Sequence, residues 1–375
     1  MVRFIRCLVS TVMGVGALVS MLSASAQLRN AETVFVMSNN ADRNEVIVFQ
    51  REGNGNFERS HFDTFGRGTG GVNDPLESQG SLTLSTDHSL LFAANAGSGD
   101  VTVFRIQHNR LVLADKVPSG GSQPVSIAQW GNTVYVLNSG GAGSVVGFRL
   151  DHNGHLHRIA NSTAFLSANA TGGASISISP DGHFVAVVER IANKIDTFRI
   201  NPDGTLAAGT VTSSSGAGAF SAQFAPDGKL IVSETGPANV TDGSAISSYT
   251  VLPNGTLGVV SQSVATDGAA NCWNAISPDG NHVYASNAGS SNIAGFSIGD
   301  GGVLKPLNGT IVGSNPEGST NLDIAISGDG KFLYSLNAKV GSIGVFAIQA
   351  NGTLTEVTQI EGLPQAAGFN GIAAL

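Results

Sequence analysis

Short alternating runs that end in a polar residue recur along the whole chain: VFVMSN (34–39), LFAAN (91–95), VYVLN (134–138), VAVVE (185–189), LIVSE (230–234), VYASN (283–287) and LYSLN (333–337). A period of two over so few residues is the signature of a β-strand. A tight turn precedes most of these runs: SPDG at 179–182, APDG at 225–228, SPDG at 277–280 and SGDG at 327–330, with STDH at 85–88 a degraded copy. A further strand follows each run and carries an aromatic residue: Phe49, Phe104, Phe148, Phe198, Tyr249, Phe296 and Phe346. It leads into a second turn, written HNGHL, PDGTL, PNGTL, GDGGVL or ANGTL, and Asp-Gly and Asn-Gly pairs of this kind close hairpins. The unit therefore reads strand, hairpin, strand, loop, strand, hairpin, strand, and its aromatic markers lie 44 to 55 residues apart. Four antiparallel strands at that period make one propeller blade. Seven markers predict an all-β, seven-bladed β-propeller.

The ends of the pattern predict how the ring closes. The first strand, ETVFVMSNN, is a second strand without an inner partner, and the last segment, FNGIAAL, is an inner strand without a second. Pairing them in blade 1 removes two free edges.

Composition changes the picture at the N-terminus. Arg3 and Arg6, an apolar run and the small-residue sequence ASA before Gln27 predict a signal peptide over 1–26, leaving 27–375 as one propeller domain in a secreted or periplasmic protein. Of the two cysteines only Cys272 would remain, so an internal disulfide is excluded. No later apolar stretch is long enough to span a bilayer. A formal charge of −8 argues against nucleic acid and anionic membranes as partners. The expected species is a monomer with a small-molecule ligand.

The repeat also sorts residues by face. If all the hairpins lie at one end of the ring, the blade-to-blade crossings and the second-to-third-strand loops lie at the other. Function is expected at that loop face, around the channel mouth. The described pattern puts the histidines of the turns (His88, His108, His152, His155, His157, His183, His282) on the hairpin face.

The SPDG turn, the VYxxN strand and the DGTL hairpin resemble those of the seven-bladed lactonase-like propellers, the group that includes phosphogluconolactonase and carboxymuconate cyclase. VVERIANKIDTFRI, LIVSETGPANVTDGSAISSY and NCWNAISPDG resemble an exported branch of that family. The resemblance covers the chain from residue 27 onward. It implies a hydrolase or lyase acting on a lactone or related sugar-acid ring at the channel mouth. It also implies a His, often preceded by Arg, near the start of an inner strand. Here those positions hold Ser81, Ser126, Ser175, Ser221, Trp273, Asp323 and Gly371.

Other residues must then carry the chemistry. Glu189 and Glu234 replace the Asn that ends the second strand in the other five blades (Asn39, Asn95, Asn138, Asn287, Asn337). They are expected either to cap the following turn, as Asn does, or to aim two carboxylates at the mouth as a general base. With Asp323 they would form an all-oxygen site suited to Ca²⁺ or Mg²⁺. Arg190 could pair with a substrate carboxylate or with a nearby acid. Trp273 could stack a sugar-like ring or pack between blades. The other reading is a non-catalytic propeller that binds a small ligand, glycan or protein on its loop face.

Overall fold

The protein is described by a computed structural model over residues 33–375, apart from 54, 108 and 109. The leader expected over 1–26 and His108 lie outside the described residues. Seven separate antiparallel sheets follow one another, and each is built from consecutive strands except blade 1. That blade runs Ile372–Ala374, Thr33–Met37, Glu45–Arg51, Phe57–Asp63 from the axis outward. Its closing register is Val34 with Ala374, Phe35 with Ala373 and Val36 with Ile372. The expected seven-bladed ring and its C-terminal closure both hold. The only helical element among the described residues is a 3-10 turn at Asp300–Gly302.

The hairpins form for local reasons. In blade 6 the Ser277 hydroxyl donates to Asp279 Oδ1 (2.6 Å) and accepts from the His282 N–H (2.9 Å). Asp279 Oδ1 accepts in turn from the Asn281 N–H (3.0 Å), and Gly280 takes φ 73°. Serine, aspartate and glycine at this spacing satisfy the turn without outside help. Blade 3 departs from the pattern. Its first two strands, Pro124–Trp130 and Thr133–Asn138, are joined by Gly131-Asn132 alone, with Gly131 at φ 54°.

The seven marker aromatics are all buried, and each contributes about 2 kcal/mol by leaving water. The polar residue ending each second strand is buried too, and Asn95 shows why it is there. Its amide donates to Asp100 (2.7 Å) and Thr102 (2.9 Å) and accepts from Asn44 (2.9 Å) and Thr64 (2.7 Å). The incoming crossing passes so close that a Cβ on Gly66 would stand 2.3 Å from the Asn95 side chain. Gly121 over Asn138, Gly268 over Asn287 and Gly216 over Glu234 repeat that contact.

Candidate functional site

One crossing is unlike the rest. The segment between Asp63 and Leu82 leaves blade 1, and its residues 74–79 reach over the channel. The Ser78 hydroxyl donates to Val125 O in blade 3 (3.0 Å), and the Gln79 N–H to Ala174 O in blade 4 (3.0 Å). Trp273 Nε1 of blade 6 donates to Ser78 O (2.9 Å). The Gln79 amide donates to Asn274 O in blade 6 (2.8 Å) and to Asp323 Oδ1 in blade 7 (3.2 Å). A single strap is thereby tied to four blades across the mouth, with Leu76, Ser78 and Gln79 buried.

Arg190 meets this strap. Its guanidinium forms an ion pair with Glu77, and it also faces the Asp74 carboxyl. Burial pushes Asp74 up to about 7 against the pull of Arg190 and of Asn370 Nδ2, which donates to it at 2.9 Å. Arg190 therefore pairs with a nearby acid of the strap, the second of its two expected roles.

Beneath the strap lies a cavity of about 320 Å³. It runs from Gln79 and Asp323, near the starts of the inner strands, to His88, Pro278 and Gly328 in the hairpins. The loop face was the expected location of the site. The strap crosses that end instead, and the channel space extends to the hairpin face, with His88 at its far end.

Asp323 lines this cavity from a bulge that the inner strands of blades 3 to 7 share. Asn321 pairs with Asn337 and Ile324 with Ser335, so the ladder shifts between them and Asp323 falls in the bulge. Bulges re-aim side chains. Asp323 Oδ1 accepts from the Ile324 N–H (3.0 Å) and from Gln79; Oδ2 accepts only from the Ile372 N–H, at 3.4 Å. Burial outweighs these donors and pushes the carboxyl up to about 7. Such a group changes protonation state near neutrality, as a general base or acid must.

The other two carboxylates do not join it. Glu234 is fully buried, and its Oε1 accepts from Ser247 Oγ (2.7 Å), Ser214 Oγ (3.1 Å) and the Gly216 N–H (2.8 Å). Its Oε2 accepts from Ser263 Oγ (2.9 Å). Glu189 is equally buried; Ser167 donates to it through its N–H (2.7 Å) and its hydroxyl (2.5 Å). Beside it burial, and then the Glu189 charge, push Asp196 up to about 7. The expectation that Glu189, Glu234 and Asp323 ring one opening is corrected on a simple ground. Strand side chains stand perpendicular to their sheet, and in a propeller that direction leads to the neighbouring blade rather than to the axis. Among the described residues no three His, Cys, Asp or Glu side chains are placed to hold a metal ion, so the Ca²⁺ or Mg²⁺ site does not fit.

Trp273 is closed to a ligand as well, its indole N–H taken by Ser78 O of the strap. It is 1% exposed and packs edge-on against Phe220 at 5.1 Å, so it is no wall for a ligand. Burial pushes the neighbouring Cys272 thiol well above its usual range, which removes it as a nucleophile. Sequence reasoning missed Gln79 and Asp74, since nothing local says where a crossing will land.

A family model described as "Lactonase, 7-bladed beta-propeller" matches residues 142–273. The chain resembles the lactonase-like propellers. Solved structures agree on the fold over nearly the whole chain. A candidate 6-phosphogluconolactonase from Bacteroides uniformis shares 19% identity at a TM-score of 0.68, covering 91% of this chain and 100% of its own. The periplasmic gluconolactonase of Pseudomonas aeruginosa shares 19% at 0.64, covering 90% and 98%. A protein of unknown function from Desulfotomaculum acetoxidans shares 15% at 0.69, covering 92% and 98%. At these identities the likeness is one of fold. No curated protein matches the sequence.

Proposed function

We propose that the protein hydrolyses a small uncharged lactone in its channel, with Asp323 as general base. The observation that carries this reading is an ionisable carboxyl, poised near neutrality, at the polar end of a cavity of about 320 Å³. That volume suits a single sugar-sized ring. Among the described residues no Lys or Arg lines the cavity, so a phosphorylated ring would find no counter-charge there. The Pseudomonas neighbour is by name a gluconolactonase, which is the substrate class favoured here. An exported location, expected from the leader, accords with an unphosphorylated substrate.

In the reaction Asp323 takes a proton from water as its oxygen bonds to the lactone carbonyl carbon. The ring C–O bond then breaks, and Asp323 returns the proton to the departing alkoxide, giving an open hydroxy acid. Gln79, hydrogen-bonded to Asp323, holds the carboxyl in place.

The test is turnover of uncharged aldonolactones, followed by acid release. Wild type should open at least one of them, with kcat/KM falling as pH drops below about 7. Asp323→Asn should lower kcat/KM by about 10²–10⁴-fold. If wild type opens no aldonolactone, or Asp323→Asn opens it equally well, the catalytic reading fails and the cavity is a binding pocket.

A further inference from the structure

Grooves lie between neighbouring blades on the hairpin face, and two of them can be compared directly. Between blades 6 and 7 the Tyr284 hydroxyl donates to Gly352 O (2.8 Å); between blades 3 and 4 the Tyr135 hydroxyl donates to Gly204 O (2.9 Å). These tyrosines hold equivalent places at the groove floors. In the first groove His282 stacks on the tyrosine, and the space is about 290 Å³. In the second that position is Thr133, the hairpin is cut to Gly131-Asn132, and the space is about 430 Å³. The short turn takes away a rim that the other groove keeps.

What stands at its edge is Trp130. A turn of the scaffold needs no tryptophan there, yet this one is 44% exposed. Its position is fixed: Nε1 donates to Pro180 O (2.9 Å), and the ring lies where a Cβ on Gly182 would come within 2.6 Å of it. With its N–H satisfied inside the protein, the indole offers the groove apolar ring surface in a set orientation.

The polar groups around it are also held. Arg149 donates to Asn132 Oδ1, Thr133 Oγ1 and Asp203 O, each at 3.0 Å, and a guanidinium has further N–H groups to offer. Asp181 pairs with His183 at 3.0 Å. Asn201 completes the lining. Arg149 stands with two carboxylates, Asp181 in the lining and Asp203 beside it, so the groove has no excess positive charge to offer an anion.

We propose that this groove binds a neutral saccharide, one pyranose ring stacking its C–H face on Trp130 while Arg149, Asp181 and Asn201 hydrogen-bond its hydroxyls. An aromatic plate edged by planar polar groups matches a ring that is apolar on its faces and polar on its rim. An acidic sugar would be repelled by Asp181 and Asp203, and an aliphatic ligand would leave the polar edge unpaired. The site is separate from the channel and stands whether or not a lactone is opened there.

Tryptophan fluorescence reads this directly, because the chain has two tryptophans and the other, Trp273, is buried. The probes are soluble oligosaccharides of glucose, mannose, galactose and N-acetylglucosamine. At least one should shift the emission with saturable binding below about 10 mM, a weak affinity on the ordinary scale. Titration calorimetry with that sugar should show at least about a tenfold loss in Trp130→Ala, equivalent to one stacking contact. Trp130→Phe, which keeps an aromatic ring in the turn, should lose less. His183→Ala, at an exposed side chain, should weaken binding a few-fold without unfolding the blade. If no neutral oligosaccharide changes the emission, if only acidic sugars bind, or if folded Trp130→Ala and Trp130→Phe bind as wild type, the proposal is overturned.

Discussion

The rim of blade 5 and the channel each bury a carboxyl, and they do so in opposite ways. Glu234 is met by three serine hydroxyls and a backbone N–H, so both of its oxygens are engaged by the protein. Asp323 is equally enclosed but accepts fewer and longer hydrogen bonds, and one side of it lines open space. The first arrangement holds a blade to its neighbour. The second leaves a proton that can come and go. Burial of a carboxylate is therefore no sign of function; the share of its lone pairs left unmet is the more telling quantity.

Removing Glu234 should break the comparison most visibly. Glu234→Ala strands four donors in the interior and should destabilise the protein by about 3 kcal/mol or more in urea unfolding. Opening of an aldonolactone by the folded fraction should be unchanged. Loss of turnover without loss of stability would reverse the roles assigned to the two carboxyls.

A pH series sharpens it further. Asp323, Asp74 and Asp196 have folded-state values of about 7, above the roughly 4 of an unfolded chain. Between those limits the folded protein holds protons that the unfolded chain has released. Their stabilising contribution is whole below about pH 4 and is lost as pH rises through about 7. Wild type should thus be more stable at about pH 5 than at about pH 8, by roughly 2–3 kcal/mol for each such group. Asp323→Asn should narrow that gap and surpass wild type at the higher pH. An equal gap in the variant would mean that Asp323 is ionised in the fold.

The smallest effect is expected at the strap. Arg190→Gln removes a half-exposed ion pair with Glu77 and should cost less than about 1 kcal/mol. Amide exchange at residues 74–79 should nevertheless quicken, since the strap loses a tether to blade 4. Unchanged exchange there would show that the bonds of Asp74, Ser78 and Gln79 hold it without Arg190.

The blades were legible because turn chemistry and period two are local. Ser277-Pro278-Asp279-Gly280 makes its own hairpin wherever it stands, and apolar alternation at Phe35 and Ala373 marks two strands lacking partners. The site was less legible because its position depends on distant events. Glu189 and Glu234 were recognisable as departures from Asn, but their direction is set by the neighbouring blade. The strap left one trace: the longest interval between marker aromatics is that from Phe49 to Phe104. Trp130 left another, as the residue standing where other blades write Pro-Asp-Gly. The bulge that holds Asp323 recurs at the same place in blades 3 to 6, and only in blade 7 does it carry a carboxylate.

Closure of blade 1 by Ile372–Ala374 has a kinetic meaning as well. Within a blade, each strand pairs with a neighbour a few residues away and can form as the chain is made. The contact of Val34 with Ala374 joins opposite ends of the sequence, and it comes with a large loop-closure entropy. Until it forms, the edge of Thr33–Met37 stays open to pairing with another chain. The ring is consequently a latch: six blades and most of a seventh have local partners, and closure is the step expected to come last and to carry the aggregation hazard. Once shut, the ring leaves no free edge at Thr33–Met37, and that strand is no longer a template for another chain.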